Sequence, residues 1–181
     1  MKKLNKNGFT LIELLAVIVI LGVVMGIAIP SISSLINNTK KDAYIRTSQA
    51  FIGGVRNMAI SDADNMLPGL SHKSYISLEL VKLEKGGRKS PFGGEIDKVN
   101  SYVVIEETTG KVEDPTYVYS IVIAEETGKY GISNATNLPV LETDLDDIAS
   151  ARKLVKSKVP VVFPAGTPGD IVCTKTSCTT K

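Results

Sequence analysis

The sequence predicts an α+β protein: a long N-terminal helix, membrane-like in its first half and amphipathic in its second, packed on an antiparallel sheet head. Three observations carry this. An apolar stretch from Phe9 to Ile29 holds a single charge, Glu13, and follows a short leader bearing Lys2, Lys3 and Lys6. Helical periodicity then continues past Pro30 to about Ile60. Beyond it come short segments rich in Val, Ile and Tyr, punctuated by Gly-containing turns.

As a helix, Phe9 to Ile29 spans roughly 31 Å at about 1.5 Å per residue, enough to cross a bilayer. A secretory signal fits poorly, because its apolar core runs to about 15 residues and ends in a small-x-small cleavage site, whereas this run is followed by Pro30-Ser31-Ile32 and more helix pattern. A single-pass anchor fits better, with the lysines holding the N-terminus in the cytoplasm. It leaves Glu13 unexplained, since a charge near the centre of a span costs about 2.5 to 3.5 kcal/mol, and somewhat less near an edge.

The string Gly8-Phe9-Thr10-Leu11-Ile12-Glu13-Leu14-Leu15 resembles the processing site of type IV prepilins. The resemblance is close over roughly Lys2 to Pro30 and architectural beyond. It implies cleavage after Gly8 by a prepilin peptidase, which also N-methylates the new terminus at Phe9. Glu13 falls five positions into the mature chain, where that family places its glutamate. Gly22 and Pro30 fall at the family's helix-loosening positions. A free amine has a reference pKa of about 7.7 to 8.0, so the Phe9 terminus would be largely cationic and a neighbouring subunit's Glu13 could neutralise it. Its own chain could supply the partner too, one helical turn away. Glu13 is thus expected to act in subunit assembly.

The second half of the helix places Ile32, Leu35, Ile36, Ala43, Ala50, Ile52, Val55 and Ala59 at helical spacing, with Lys40, Lys41, Asp42, Arg46 and Arg56 mostly elsewhere. Pro30 lacks an N–H and predicts a kink, eased by Gly22 and Gly26, where the helix should be weakest. Gly22-Val23-Val24-Met25-Gly26 also fits the small-residue pattern of closely packed membrane helices, although glycine is frequent there anyway. Gly53-Gly54 has no account in the sequence.

Ser61 to Pro68 breaks the helix pattern, and Leu78 to Leu83 suggests a short helix or turn ended by Gly86-Gly87. Strands are expected at Asn100–Glu107, Thr116–Glu125 and Tyr130–Ser133, with turns at Thr109-Gly110-Lys111 and Thr127-Gly128-Lys129. Thr143 or Asp144 should cap a helix through Leu145, Ile148, Ala151, Leu154 and Val155, with basic residues at its end. Val159–Phe163 reads as a short final strand, which Pro160, Pro164 and Pro168 place at an edge or in a loop rather than at the centre of a sheet. The expected divisions are a leader at 1–8, the long helix at 9–62 with 9–29 in the membrane or filament core, and a pilin head at 63–181.

Cys173 and Cys178 form an even pair near the C-terminus; export favours a disulfide, and the shortness of the loop leaves free thiols open. With His72 the single histidine among 181 residues, a zinc site is disfavoured, and no metal or cofactor is expected. His72 has no nucleophile motif around it. Gly86-Gly87-Arg88-Lys89-Ser90 fails the Walker pattern, and Asp144, Asp146 and Asp147 lack the glycine and distal glutamate of a calcium loop. Asn37-Asn38-Thr39 and Asn134-Ala135-Thr136 fit the glycosylation acceptor pattern, which also arises by chance. No catalytic residues are indicated, and an enzyme is not expected.

The formal charge of +2 is largely the leader's: removing its three lysines from 21 basic residues leaves 18 against 19 acidic ones, a net −1. Nucleic-acid binding is not indicated by such a balance. The resemblance implies a major pilin of a surface filament serving adhesion, motility, aggregation or DNA uptake. It would be a single-pass membrane precursor in contact with lipid before it assembles. Its partners would be other pilin subunits, the prepilin peptidase and N-methyltransferase, an assembly platform and cytoplasmic ATPases. The rivals are a pseudopilin of a secretion or competence system and, from another class, a membrane-tethered ligand-binding or sensory domain.

Overall fold

The computed structural model describes residues 9–83, 87–108, 115–134, 136, 138–175 and 177–181. Gly8 and the rest of the leader, Gly86, the turn at Thr109-Gly110-Lys111 and Ala135 of the second glycosylation triplet lie outside them. The chain divides into two compact units, Met1–Thr39 and Lys40–Lys181.

Helix α1 runs from Leu11 to Ser61, and its assignment continues without interruption through Pro30. Proline cannot bond the carbonyl four residues back. Local side chains add bonds nearby: the Ser33 hydroxyl donates to the Ile29 carbonyl at 3.0 Å, and the Thr39 hydroxyl donates to the Leu35 carbonyl at 2.9 Å. Such back-bonding slightly destabilises a helix and often bends it. After Ser61 a single turn, α2 (Ala63–Met66), buries Met66.

In the second unit, α1 presents one apolar stripe to the sheet. Tyr44, Ile45, Phe51, Ile52, Val55 and Ala59 are all fully buried, and with the buried Ser48 they follow the three- and four-residue steps that align one helix face. They form one core with Ile76, Val103, Ile105, Ile121 and Ile123 from the strands. Gly54 lies where the helix meets the Leu78–Leu83 region: a Cβ there would stand 2.5 Å from Val81 Cγ1. At Gly53 an added Cβ meets nothing within 4 Å. One glycine of the pair is therefore required by packing and the other is not.

The sheet contains eight strands among the described residues: β1 (Lys73–Ser77), β2 (Tyr102–Glu107), β3 (Tyr117–Ala124), β4 (Tyr130–Ile132), β5 (Val140–Leu141), β6 (Val155–Ser157), β7 (Ile171–Cys173) and β8 (Cys178–Thr180). Their order is β6-β4-β3-β2-β1-β7-β8, with β5 also paired to β3. All pairings are antiparallel except β1 with β7, which makes the sheet mixed rather than purely antiparallel. The expected strands at β2, β3 and β4 are present within a residue or two at each end.

Two local expectations differ from the structure. The helix expected from Thr143 or Asp144 through Val155 is split into a 3-10 turn (Glu142–Leu145), one α-helical turn α3 (Ile148–Ala151) and a second 3-10 turn (Arg152–Leu154). Its cap is Asp147, whose carboxylate accepts from the Ala149 N–H at 3.1 Å and restarts the helix. Val155 begins β6 instead. Val159–Phe163 forms no strand; Val161 and Phe163 pack over the outer sheet face against Tyr102, Val104 and Val122. Leu78 to Leu83, expected as a short helix or a turn, is a turn followed by an irregular segment, directly after β1.

Candidate functional site

The start of α1 is closed by its own side chains. The Glu13 carboxylate oxygen Oε2 accepts from the Thr10 backbone N–H at 2.8 Å and from the Thr10 hydroxyl at 2.8 Å, while Thr10 Oγ1 accepts from the Glu13 N–H at 3.3 Å. This is a capping box, in which a threonine and the residue three further on satisfy each other's backbone donors at a helix N-terminus. The Thr-x-x-Glu spacing is the sequence signal of this cap. In the uncleaved chain Phe9 contributes an amide rather than a free amine, and Thr10 partners the Glu13 carboxylate. Oε1 of Glu13 accepts no bond from any described residue.

Phe9 and Thr10 precede the helix, and Phe9 is 86 % exposed. From Leu11 to Ile36 every large apolar side chain is exposed, on all sides of the helix. The stretch is long and apolar enough to cross a membrane. Added Cβ atoms at Gly22 and Gly26 meet nothing within 4 Å, so no contact inside this chain accounts for either glycine.

Within the second unit, α1 is fastened to the 142–152 region by three polar links. Arg152 donates to both oxygens of Asp42, at 2.6 and 2.7 Å, a bidentate pair that holds the Asp42 carboxyl below its usual range. The Gln49 amide donates to the Leu145 carbonyl at 3.0 Å. Arg56 pairs with Glu142 and lies over the Tyr119 ring, 4.6 Å from its centroid.

Cys173 and Cys178 are joined in a disulfide across the β7–β8 hairpin, where they are register partners. Close by, the buried Asp170 accepts from the Thr167 hydroxyl and N–H and from the Lys73 N–H. Burial pushes the Asp170 carboxyl up, but these bonds and nearby His72 outweigh it, and the net shift is downward. His72 Nδ1 lies 3.9 Å from Asp170 Oδ1, and its ring rests so closely on Gly169, at φ +94°, that a Cβ there would come within 2.1 Å of it. Its placement is that of a packing residue. Asp147 serves as the α3 cap, and the described residues contain no group of three or more His, Cys, Asp or Glu arranged to hold a metal.

Residues 3–29 match the family model of the prokaryotic N-terminal methylation motif, the hallmark of type IV prepilins. No curated protein and no solved structure matched the chain. The motif and the long apolar helix fit a membrane-anchored precursor, and the described residues have a type IV pilin-like α+β layout. Among such precursors the motif supports a prepilin of the type IV pilin or pseudopilin kind, a structural family rather than an enzymatic one.

Proposed function

We propose that the chain is a structural subunit, and specifically the major pilin, of a type IV pilus. The leader 1–8 is removed after Gly8, Phe9 is N-methylated, the helix 9–62 enters the filament core through its apolar part, and the head 63–181 forms the outer surface. The single observation that supports this best is the helix from Leu11 to Ile36, whose large apolar residues are exposed on every side. Lipid covers such a surface in the precursor, and neighbouring copies of the same helix cover it after polymerisation.

Glu13 has a part in each state. Before cleavage it caps the helix through Oε2. After cleavage the Phe9 amine of an adjacent subunit is a cation in a low-dielectric filament core, where an unpaired charge is costly. Oε1 is the oxygen left to pair with it. Gly22, Gly26 and Pro30 mark the stretch where the helix loosens during assembly. The partners are the prepilin peptidase and N-methyltransferase, an assembly platform with its ATPases, and further copies of the chain. The filament then serves adhesion, motility or aggregation.

Immunogold microscopy with antibody to the head tests the subunit's rank. Label spaced along the whole length of surface filaments agrees with a major pilin. Label confined to the envelope contradicts it and favours a pseudopilin.

A further inference from the structure

The face of the sheet turned away from α1 is covered over only part of its width. Val161 and Phe163 lie over one part, with Phe163 edge-on to Tyr102 at 5.7 Å between ring centroids. Beside them is a half-open groove of about 470 Å³, within the usual range for a small-molecule site. Its floor is Tyr75, Tyr102 and Ser120, the tyrosine rings being edge-to-face at 6.1 Å. Leu138 forms part of one wall, held in place where its N–H donates to Asn134 Oδ1 at 2.9 Å, and Pro164 contributes another. Lys73 and Glu106 also line it, paired at 2.9 Å.

Three properties define what fits. First, the groove has no net charge: its one ammonium and one carboxylate neutralise each other, so an ionic ligand would have to break that pair. Second, it is rich in unused hydrogen-bonding capacity of both kinds. The hydroxyls of Tyr75, Tyr102 and Ser120 have no hydrogen-bond partner among the described residues, and an ammonium or a carboxylate keeps further positions after one contact. Burial raises both tyrosine hydroxyls, so they remain protonated donors at neutral pH. Third, the floor is the middle of a sheet. β1, β2 and β3 each have neighbours on both sides, which leaves no free backbone edge for an extended peptide to join.

We propose that this groove binds a neutral pyranose unit of a glycan, with one sugar face against the Tyr75 ring, which Tyr102 supports edge-on from beneath, and its hydroxyls on Ser120 and the Lys73–Glu106 pair. Each sugar hydroxyl both donates and accepts, which matches the mixed array, and the carbon-bound hydrogens of the ring match the aromatic floor. The site lies in the head alone, so neither outcome of its test bears on whether the chain polymerises.

The test is saturation-transfer NMR on the full-length protein in a non-glycosidic detergent, since a sugar-headed one would compete. The probes are diacetylchitobiose and lactose, which separate an amino-sugar glycan such as a cell-wall backbone from a galactose-terminated one. Inorganic phosphate and an unstructured peptide are the other two probes. Transfer to the ring protons of at least one disaccharide is expected. Its affinity should fall about tenfold or more in Tyr75→Ala, and its signal should vanish in Ser120→Phe, which fills the groove; thermal melts confirm that both variants are folded. No transfer to either sugar overturns the proposal, as does transfer that persists in both folded variants. Tighter binding of phosphate or of the peptide than of either sugar overturns it too.

Discussion

Replacing Gly53 and Gly54 by alanine, one at a time, is expected to move stability in opposite directions. Glycine in a helix interior is about 1 kcal/mol less favourable than alanine. At Gly53 the added methyl group meets nothing within 4 Å, so the whole of that gain is available. At Gly54 the same methyl would lie 2.5 Å from Val81 Cγ1 and 3.6 Å from Leu83 Cδ2, and Val81 is only 2 % exposed, with little room to retreat. Overpacking of this kind costs about 1 to 3 kcal/mol, which cancels the helix gain and leaves a net loss of up to about 2 kcal/mol. Near-UV circular dichroism of the six tyrosines reports tertiary packing, uncomplicated by tryptophan, which the chain lacks. In melts of the full-length protein in detergent, 1 kcal/mol corresponds to about 3 °C for a head of this size. Gly53→Ala should therefore melt about 3 °C higher than the unaltered chain, and Gly54→Ala lower. Equal gains from both would refute the close packing of α1 on Val81 that explains the glycine pair.

Thr10→Val removes the hydroxyl half of the capping box, and far-UV circular dichroism in micelles should show fraying at the start of α1, with a loss of about 1 kcal/mol. Reducing the Cys173–Cys178 bond releases a six-residue ring; loop entropy of that size corresponds to about 2 kcal/mol, and hydrogen exchange should quicken in β7 and β8 first. Asp170 titrates below its usual value in the folded head, so the stability it contributes is complete above the unfolded carboxyl pKa of about 3.9 and is lost as pH falls through the lower folded value. Acid titration followed at the Thr167 and Lys73 amides should show their bonds to Asp170 failing in that window, and Asp170→Asn should remove the transition.

How legible each part was follows from where its determinants lie. The N-terminal helix was plain because its signal is local: uninterrupted apolar residues, then a three- and four-residue rhythm ending at Ala59. β2 and β3 were plain because their Val, Ile and Tyr runs are long and the turn after β3 carries Gly128. β1 was hidden by two buried serines, Ser74 and Ser77, which break the apolar alternation; the Ser77 hydroxyl is satisfied by donating to the Lys98 carbonyl, a bond no local pattern announces. β7 and β8, at three residues each, are too short to show a period, and they exist because β1 and the disulfide hold them. Leu145, Ile148, Ala151 and Leu154 imitate a helix by their spacing, yet Asp147 caps a new turn in their midst. At the N-terminus the charge of Glu13 drew the reading to a cationic partner, and its capping role went unread. Thr10, three positions earlier, satisfies the helix end before any amine exists.

The central claim, that this chain is a prepilin cut after Gly8 and built into a filament, is tested most directly by mass spectrometry of filaments sheared from the cell surface. An abundant N-terminal peptide beginning with N-methyl-Phe9 is the predicted result. Surface filaments without that peptide, with the cellular chain still carrying Met1 to Gly8, would contradict the claim.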